Sequence, residues 1–233
     1  MNASIAALYR YAVKSMGGTE LTRAVVGPAG IPGDRAWTLR ETATGRAASA
    51  KRFAPLMLCR ARYLDEPASG ASPPPAEIEL PDGTLTRTDA PGANSLLTRL
   101  LGTDVAFARE DDGAGHFDDH PLHFLTTASL AAMRAKTGLD FDVRRFRPNV
   151  LVELDAPGRP EDAWPGKTLL VGAVSVRMLK PVKRCVMTTL PQPPLAVEKG
   201  ILASVLADGG ALGVYGAALA AGVWSVGDRI EVL

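Results

Sequence analysis

Cysteine is scarce in this chain: Cys59 and Cys185 are the only two among 233 residues. Two thiols this far apart make neither a disulfide scaffold nor a CxxC zinc or redox motif. They also fall short of the four protein ligands that an ordinary iron–sulfur cluster takes. The sequence has no GxxxxGK[ST], no GxGxxG after a strand, no GxSxG and no HExxH. A P-loop ATPase, a dinucleotide-fold dehydrogenase and a serine hydrolase of the common type are therefore disfavoured. Neither sign of charge dominates. The net charge is +1 and the pI near 7.8, which gives no electrostatic ground for a nucleic-acid or membrane-surface partner. The start lacks a basic segment followed by a long apolar run, so no signal peptide is expected. The uncharged stretch 209–227 approaches the length of a membrane span, but six glycines interrupt it and alanine dominates the rest, so its transfer energy is poor. The expectation is a soluble chain without a membrane span in a reducing compartment, with the cytoplasm as default.

What the chain does contain is a series of short alternating runs separated by turn residues. Residues 5–13 read as a strand with Ile5, Tyr9, Tyr11 and Val13 on one face and Leu8 and Arg10 on the other. Further strands are expected at 21–26, 35–41, 60–64, 104–110, 150–154, 168–171, 174–180 and 229–233. A hairpin closes over Pro81-Asp82-Gly83, with glycine where positive φ is needed. Helical period appears over 94–101, capped by Asn94 and stopped by Gly102, and over 129–137, capped by Thr126 or Thr127 and ending at Gly138. The pattern predicts a mainly β (α+β) protein of barrel type with a few short helices. A composition change at 88–95 predicts two regions, 1–92 and 93–233.

The chemistry concentrates around Cys185. Lys180, Lys183 and Arg184 precede it, and nearby positive charge favours a thiolate over a thiol. The competing reading is a small apolar residue in a strand. His116, His120 and His123 lie close together with Asp118 and Asp119 between them and invite a zinc or iron reading. With Asp118 and Asp119 included, the set suits neither one helix face nor one strand face throughout, so a polar loop entering a strand is the alternative. A broader signal is the recurrence of cations beside turns that bound strands: Lys14-Ser15, Arg35, Arg147-Pro148-Asn149 and Arg184-Cys185. Arginine forks match phosphate oxygens in a bidentate way and lysine adds a point charge. Together they predict an anion pocket around the thiol.

These residues also carry a resemblance. Tyr11-Ala12-Val13-Lys14-Ser15, Gly33-Asp34-Arg35-Ala36-Trp37, the run from Pro121 to Leu130, Phe146-Arg147-Pro148-Asn149-Val150, Asp162-Ala163-Trp164-Pro165-Gly166, Arg184-Cys185-Val186-Met187-Thr188-Thr189 and Val226-Gly227-Asp228 occur in the order found in MOSC-domain proteins with a MOSC N-terminal β-barrel region. The chain resembles the branch that includes the mitochondrial amidoxime-reducing component. The resemblance implies a β-barrel-rich MOSC fold, with 1–92 as the N-terminal region and 93–233 as the MOSC domain. It implies binding of the molybdenum cofactor (molybdopterin with molybdenum), with Cys185 as metal ligand and catalytic residue. Lys14, Ser15, Arg35, Asp118, Asp119, His120, Arg147, Asn149 and Arg184 are the implied cofactor-binding positions. The implied activity is an oxidoreductase that reduces N-hydroxylated or similar small-molecule substrates, with electrons from a separate redox protein. A sulfur (cysteine persulfide) or cofactor carrier and a non-catalytic binding module are the alternatives. Leu190-Pro191-Gln192-Pro193-Pro194 and Ser49-Ala50-Lys51-Arg52-Phe53 depart from the family pattern.

Overall fold

Residues 2–109 and 115–233 are described by the computed structural model. Along them run β1 (Ala3–Arg10), β2 (Thr19–Leu21), β3 (Arg23–Val26), β4 (Trp37–Glu41), β5 (Arg60–Tyr63), β6 (Ala76–Glu79), β7 (Leu85–Arg87), α1 (Ala93–Leu101), β8 (Val105–Arg109), β9 (Leu122–Thr126), α2 (Thr127–Thr137), β10 (Val150–Leu154), β11 (Thr168–Val171), β12 (Val174–Lys183), α3 (Lys199–Ala207), β13 (Ala211–Ala218), β14 (Gly222–Ser225) and β15 (Arg229–Val232). The mainly β, barrel-rich class expected from the turn spacing is what the chain adopts.

The barrel closes in the order β1, β10, β9, β13, β12, β11, β15 and back to β1, with β2 hydrogen-bonded outside on β1. Closure leaves these seven strands with no long unpaired edge. The β9–β10 pair is parallel, and the connection through α2 supplies the crossover that parallel strands require. Ile5, Leu8, Phe124, Val152, Val176, Val214 and Trp224 fill one continuous core. The strict alternation expected for residues 5–13 is corrected by the structure. A register shift between Ile5 and Ala7 inserts an extra residue against β10, which turns Leu8 into the core beside Ile5. Tyr11 and Val13 lie beyond the strand, and Val13 packs in a second core.

That second core joins β4–β8, the β5-β6-β7 sheet and α1 through Met16, Leu39, Leu56, Ile78, Leu97 and Val105. Met187 and Leu190, far along the chain, pack against it, which draws the segment after β12 onto the N-terminal half. Packing therefore does not divide at residue 92. β1 and β3 bury residues in the barrel core, while α1 and β8 belong with the second core. A third cluster seats α2 and α3 together through Leu130, Met133, Ile201 and Val205.

Several local expectations shift. Residues 21–26 are divided between β2 and β3, which pair with β1 and β14 respectively. Arg35 and Ala36 precede β4 rather than belonging to it, and β12 continues through register shifts to Lys183. Glu110, the expected end of β8, lies outside the described residues. Asn94 does not cap α1. Gly92 occupies the N-cap, and Asn94 Oδ1 accepts a hydrogen bond from Phe107 N, tying helix to strand at 3.0 Å. Thr126 does cap α2, accepting from Ser129 N at 3.0 Å. The glycine-rich stretch folds as β13 and β14, and among the described residues no helix is long and apolar enough to cross a membrane. Its glycines answer to packing: a Cβ at Gly216 would lie 2.9 Å from the Phe124 ring.

Phe124 is fully buried and meets Trp224 edge-on with ring centroids 6.0 Å apart. Phe124→Ala is expected to lower the unfolding free energy by about 3–5 kcal/mol, because the lost transfer energy adds to the cost of the cavity. A urea midpoint close to that of the parent chain would show that the barrel core is not the unit that melts.

Candidate functional site: a cationic cavity at the barrel end

A cavity of about 290 Å³ lies where the barrel meets the N-terminal half. Lys14 and Ser15 reach it from the turn after β1, and Arg35 from the turn before β4. The segment before β9 contributes Asp118 and His120, that between α2 and β10 contributes Arg147 and Asn149, and the end of β12 delivers Arg184 and Cys185. Three non-glycine residues among those described have positive φ: Ser15 at 70°, Arg35 at 51° and Arg147 at 55°. All three line the cavity. Left-handed backbone costs such residues about 1–3 kcal/mol each and survives only where surrounding contacts over-determine it.

Those contacts centre on Tyr11. Its ring lies 4.7 Å from the Arg35 guanidinium carbon and 4.2 Å from that of Arg147. The phenol donates to Pro148 O at 3.1 Å, and Tyr11 N donates to Asp34 Oδ1 at 2.8 Å. Asp34, almost fully buried, pairs with the Arg35 guanidinium, which also donates to Arg147 O at 3.2 Å. Burial by itself would lower the Arg35 pKa, but Asp34 and Tyr11 outweigh it and hold the group above its ordinary value. Arg147 has no such carboxylate. Burial brings its pKa down to about 10, still protonated at neutral pH, and no acceptor among the described residues takes a hydrogen bond from its guanidinium.

Arg184 is satisfied by neutral groups. Nε donates to Leu212 O and Nη1 to Phe146 O, both at 2.9 Å, and the cation lies over the Phe146 ring. Burial lowers this pKa to about 10 as well. Its Nη2 lies 2.7 Å from His123 Nε2. A guanidinium can only donate, so Nε2 accepts and the His123 proton sits on Nδ1, facing Arg147 O at 3.4 Å. Burial and then Arg184 push the His123 pKa well down, in keeping with a neutral ring. β13 approaches this ring so closely that a Cβ at Gly213, where φ is +85°, would meet Nε2 at 2.4 Å.

Of the ten expected site residues, nine line the cavity. The tenth, Asp119, pairs with Lys180 at 2.6 Å instead. The nine differ in what they offer. Lys14 holds Asp118 at 2.9 Å and donates to His116 O. Burial raises the Asp118 pKa, but Lys14 more than reverses it and keeps the carboxyl below its usual range. Ser15 Oγ accepts from Ala50 N at 3.1 Å. Asn149 is a brace: its Oδ1 accepts from His123 N at 3.2 Å and its Nδ2 faces Tyr9 O at 3.3 Å. Cys185 is half-buried and opens on the cavity, whereas Cys59 is enclosed and its thiol pushed up to about 12 by burial. The three histidines do not assemble a metal cage, and among the described residues no three His, Cys, Asp or Glu side chains are placed to hold an ion. Arg145, just before the Phe146–Asn149 motif, and Tyr215, in β13, also line the cavity, and neither is among the positions expected from the sequence.

A family model for the MOSC domain matches residues 103–231, and one for the MOSC N-terminal beta barrel domain matches residues 2–119. The chain belongs to the MOSC family. The two MOSC matches overlap at 103–119, beyond the composition change near residue 92. Mitochondrial amidoxime reducing component 2 of Macaca fascicularis is 33% identical over 73 residues, covering 31% of this chain and 21% of that protein. The match thus spans about a fifth of that relative. YUAD protein from Bacillus subtilis superposes with a TM-score of 0.52 at 15% identity, covering 100% of this chain and 96% of its own, a likeness of fold. YiiM from Geobacillus stearothermophilus superposes with a TM-score of 0.40 at 16% identity over 50% of this chain and 55% of its own.

The buried His123 of this MOSC protein makes stability depend on pH. Its folded pKa lies below the unfolded value, so stability is complete above about pH 6.5 and declines as the unfolded imidazole takes up a proton that the folded one refuses. Between about pH 7 and pH 5 the loss is expected to reach about 2 kcal/mol. His123→Asn, whose amide can still donate to Arg147 O, is expected to flatten that slope in denaturant titrations. A parallel decline in the variant would assign the effect to other groups.

Proposed function

We propose that this MOSC protein binds the molybdenum cofactor in the cationic cavity and works as an oxidoreductase on N–O compounds, with electrons supplied by a separate redox protein. The observation that carries the reading is the pairing of one cavity thiol, Cys185, with a buried guanidinium, Arg147, that no described residue satisfies. Among the described residues a bare metal ion finds no set of three protein ligands. A metal that arrives with its own organic ligand and phosphate needs one thiolate and several cations, and that donor set is present.

The chain's own residues divide the work. Cys185 is the position for a thiolate ligand, presented by the backbone turn at Val186–Thr189, whose Thr188 N and Oγ1 donate back to Cys185 O at 3.1 and 3.0 Å. Arg147, Arg35 and Lys14 are placed to neutralise anionic oxygens, and Arg147 retains its donors for that purpose. Asn149 and His123 keep the Arg147 and Arg184 segments in register rather than reaching a ligand. When bound, the cofactor supplies a two-electron centre able to remove oxygen from an N–O bond. The MOSC family's association with this cofactor and the partial match to an amidoxime reducing component support the choice of reaction.

Elemental analysis tests the reading. Protein purified from a host that makes the cofactor is expected to carry molybdenum near one atom per chain. Cys185→Ala and Arg147→Ala are each expected to lose most of it while keeping the parent's far-ultraviolet circular dichroism. Absence of molybdenum from the parent protein would overturn the assignment.

A further inference from the structure

We propose that the substrate of this cavity is anionic: a small molecule carrying a carboxylate or similar group beside its N–O centre, recognised by Lys51 and Lys183. This rests on the reductase reading and adds the charge of the substrate. Lys14, Arg35 and Arg147 are taken up by the anionic cofactor in that reading, and Arg184 is committed to backbone carbonyls and His123. Three more cations line the same cavity: Lys51, Arg145 and Lys183. Asp118 is the one carboxylate among the described lining residues, and Lys14 already holds it at 2.9 Å. Asp34, behind the wall, is committed to Arg35.

None of the three surplus cations forms an ion pair among the described residues, although Lys51 lies near enough to Asp118 to help hold its carboxyl ionised. Arg145 is 5% exposed, and its guanidinium faces two neutral carbonyls, Ala196 O at 2.9 Å and Thr188 O at 3.5 Å. Lys51 and Lys183 are exposed, and neither has an ion-pair partner among the described residues. Lys180 makes the useful contrast. It is also exposed and precedes Lys183 on β12, but it lies outside the lining and is paired with Asp119 at 2.6 Å. The lysine beside the cavity is neutralised and those within its wall are not. Lys51 comes from the loop after β4, and Lys183 sits two residues before Cys185, so the cavity is flanked by positive charge from both halves of the chain. A concave site focuses such a field and concentrates anions from solution. Phe117 and Met187 in the same lining offer apolar surface for the body of the molecule.

The test uses two probes that differ by one charge, benzamidoxime and 4-carboxybenzamidoxime, titrated calorimetrically into the purified full chain. The parent is expected to bind the carboxylate about fivefold or more tightly than the neutral probe, the scale of one or two exposed ion pairs. That ratio is expected to fall toward one in high salt and in the K51Q/K183Q variant. Equal affinities in the parent, or a preference that survives in K51Q/K183Q, would overturn the inference. Molybdenum content and turnover of the same samples report separately on the reductase reading. A loaded, active protein that binds both probes alike sinks the charge inference alone. A lysine-dependent preference in protein without molybdenum upholds the charge inference and sinks the reductase reading.

Discussion

Arg147 keeps a full positive charge where water scarcely reaches, with an aromatic ring on one side and, among the described residues, no carboxylate paired with it; Asp34 and Asp118 act on it only from a distance. Withdrawing such an ion from solvent costs several kcal/mol even after relaxation. The surroundings are arranged to tolerate that cost without cancelling it. Tyr11 lends its π-face to both Arg147 and Arg35, and Asp34 forms its ion pair with Arg35 rather than with Arg147. Arg184 rests on backbone carbonyls and on a histidine kept neutral. Each device lowers the price of holding a cation, and for Arg147 and Arg184 none of them supplies a paired anion. Such a site is stabilised most by a ligand that brings negative charge.

The same constraint fits the way packing crosses between the two halves of the chain. A cavity walled by cations from five stretches of sequence has to be built by elements that are rigid and mutually braced. β1 is therefore a barrel strand between β10 and β15, so that the turn carrying Lys14 and Ser15 leaves from the barrel itself. Met187 and Leu190 bury themselves against the N-terminal core and hold the Cys185 segment across the junction. Left-handed φ at Ser15, Arg35 and Arg147 fits this scheme: strained backbone at the cavity, offset by dense packing on both sides.

Membership of the MOSC family and a YUAD-like fold agree with the barrel but do not choose a reaction. One fold hosts many activities, and function has to be argued from the site. Here the site distinguishes residues that motif position alone treats as equivalent. Asn149 and Arg147 are two positions apart, yet Asn149 spends its amide on backbone groups while Arg147 keeps its donors free. Asp118 and Asp119 are neighbours, yet one faces the cavity and the other faces Lys180.

Much of the architecture was written in local chemistry. Turn residues at close spacing demanded short strands, Thr126 and Gly138 bounded a helix, and the cluster Lys180, Lys183 and Arg184 singled out Cys185 of the two thiols. Nine of the ten expected positions line the cavity. The cations beside strand-bounding turns form a local pattern in the sequence, whereas Asp118 and His120 enter as cofactor positions through the family resemblance. What is not local was not legible. The slip of register after Ile5 depends on pairing with β10, more than a hundred residues away, so alternation by itself placed Leu8 on the wrong face. α3 is not among the helices the local pattern predicts, and Asn94 reads locally as a cap because only the docked β8 offers it Phe107 N. Arg145, Tyr215 and the tautomer of His123 acquire meaning through long-range contacts. The sequence alone determined that cations and a thiol would gather at turns. The tertiary structure decided which of those charges would be neutralised and which left open, because that depends on what the fold places within hydrogen-bonding distance.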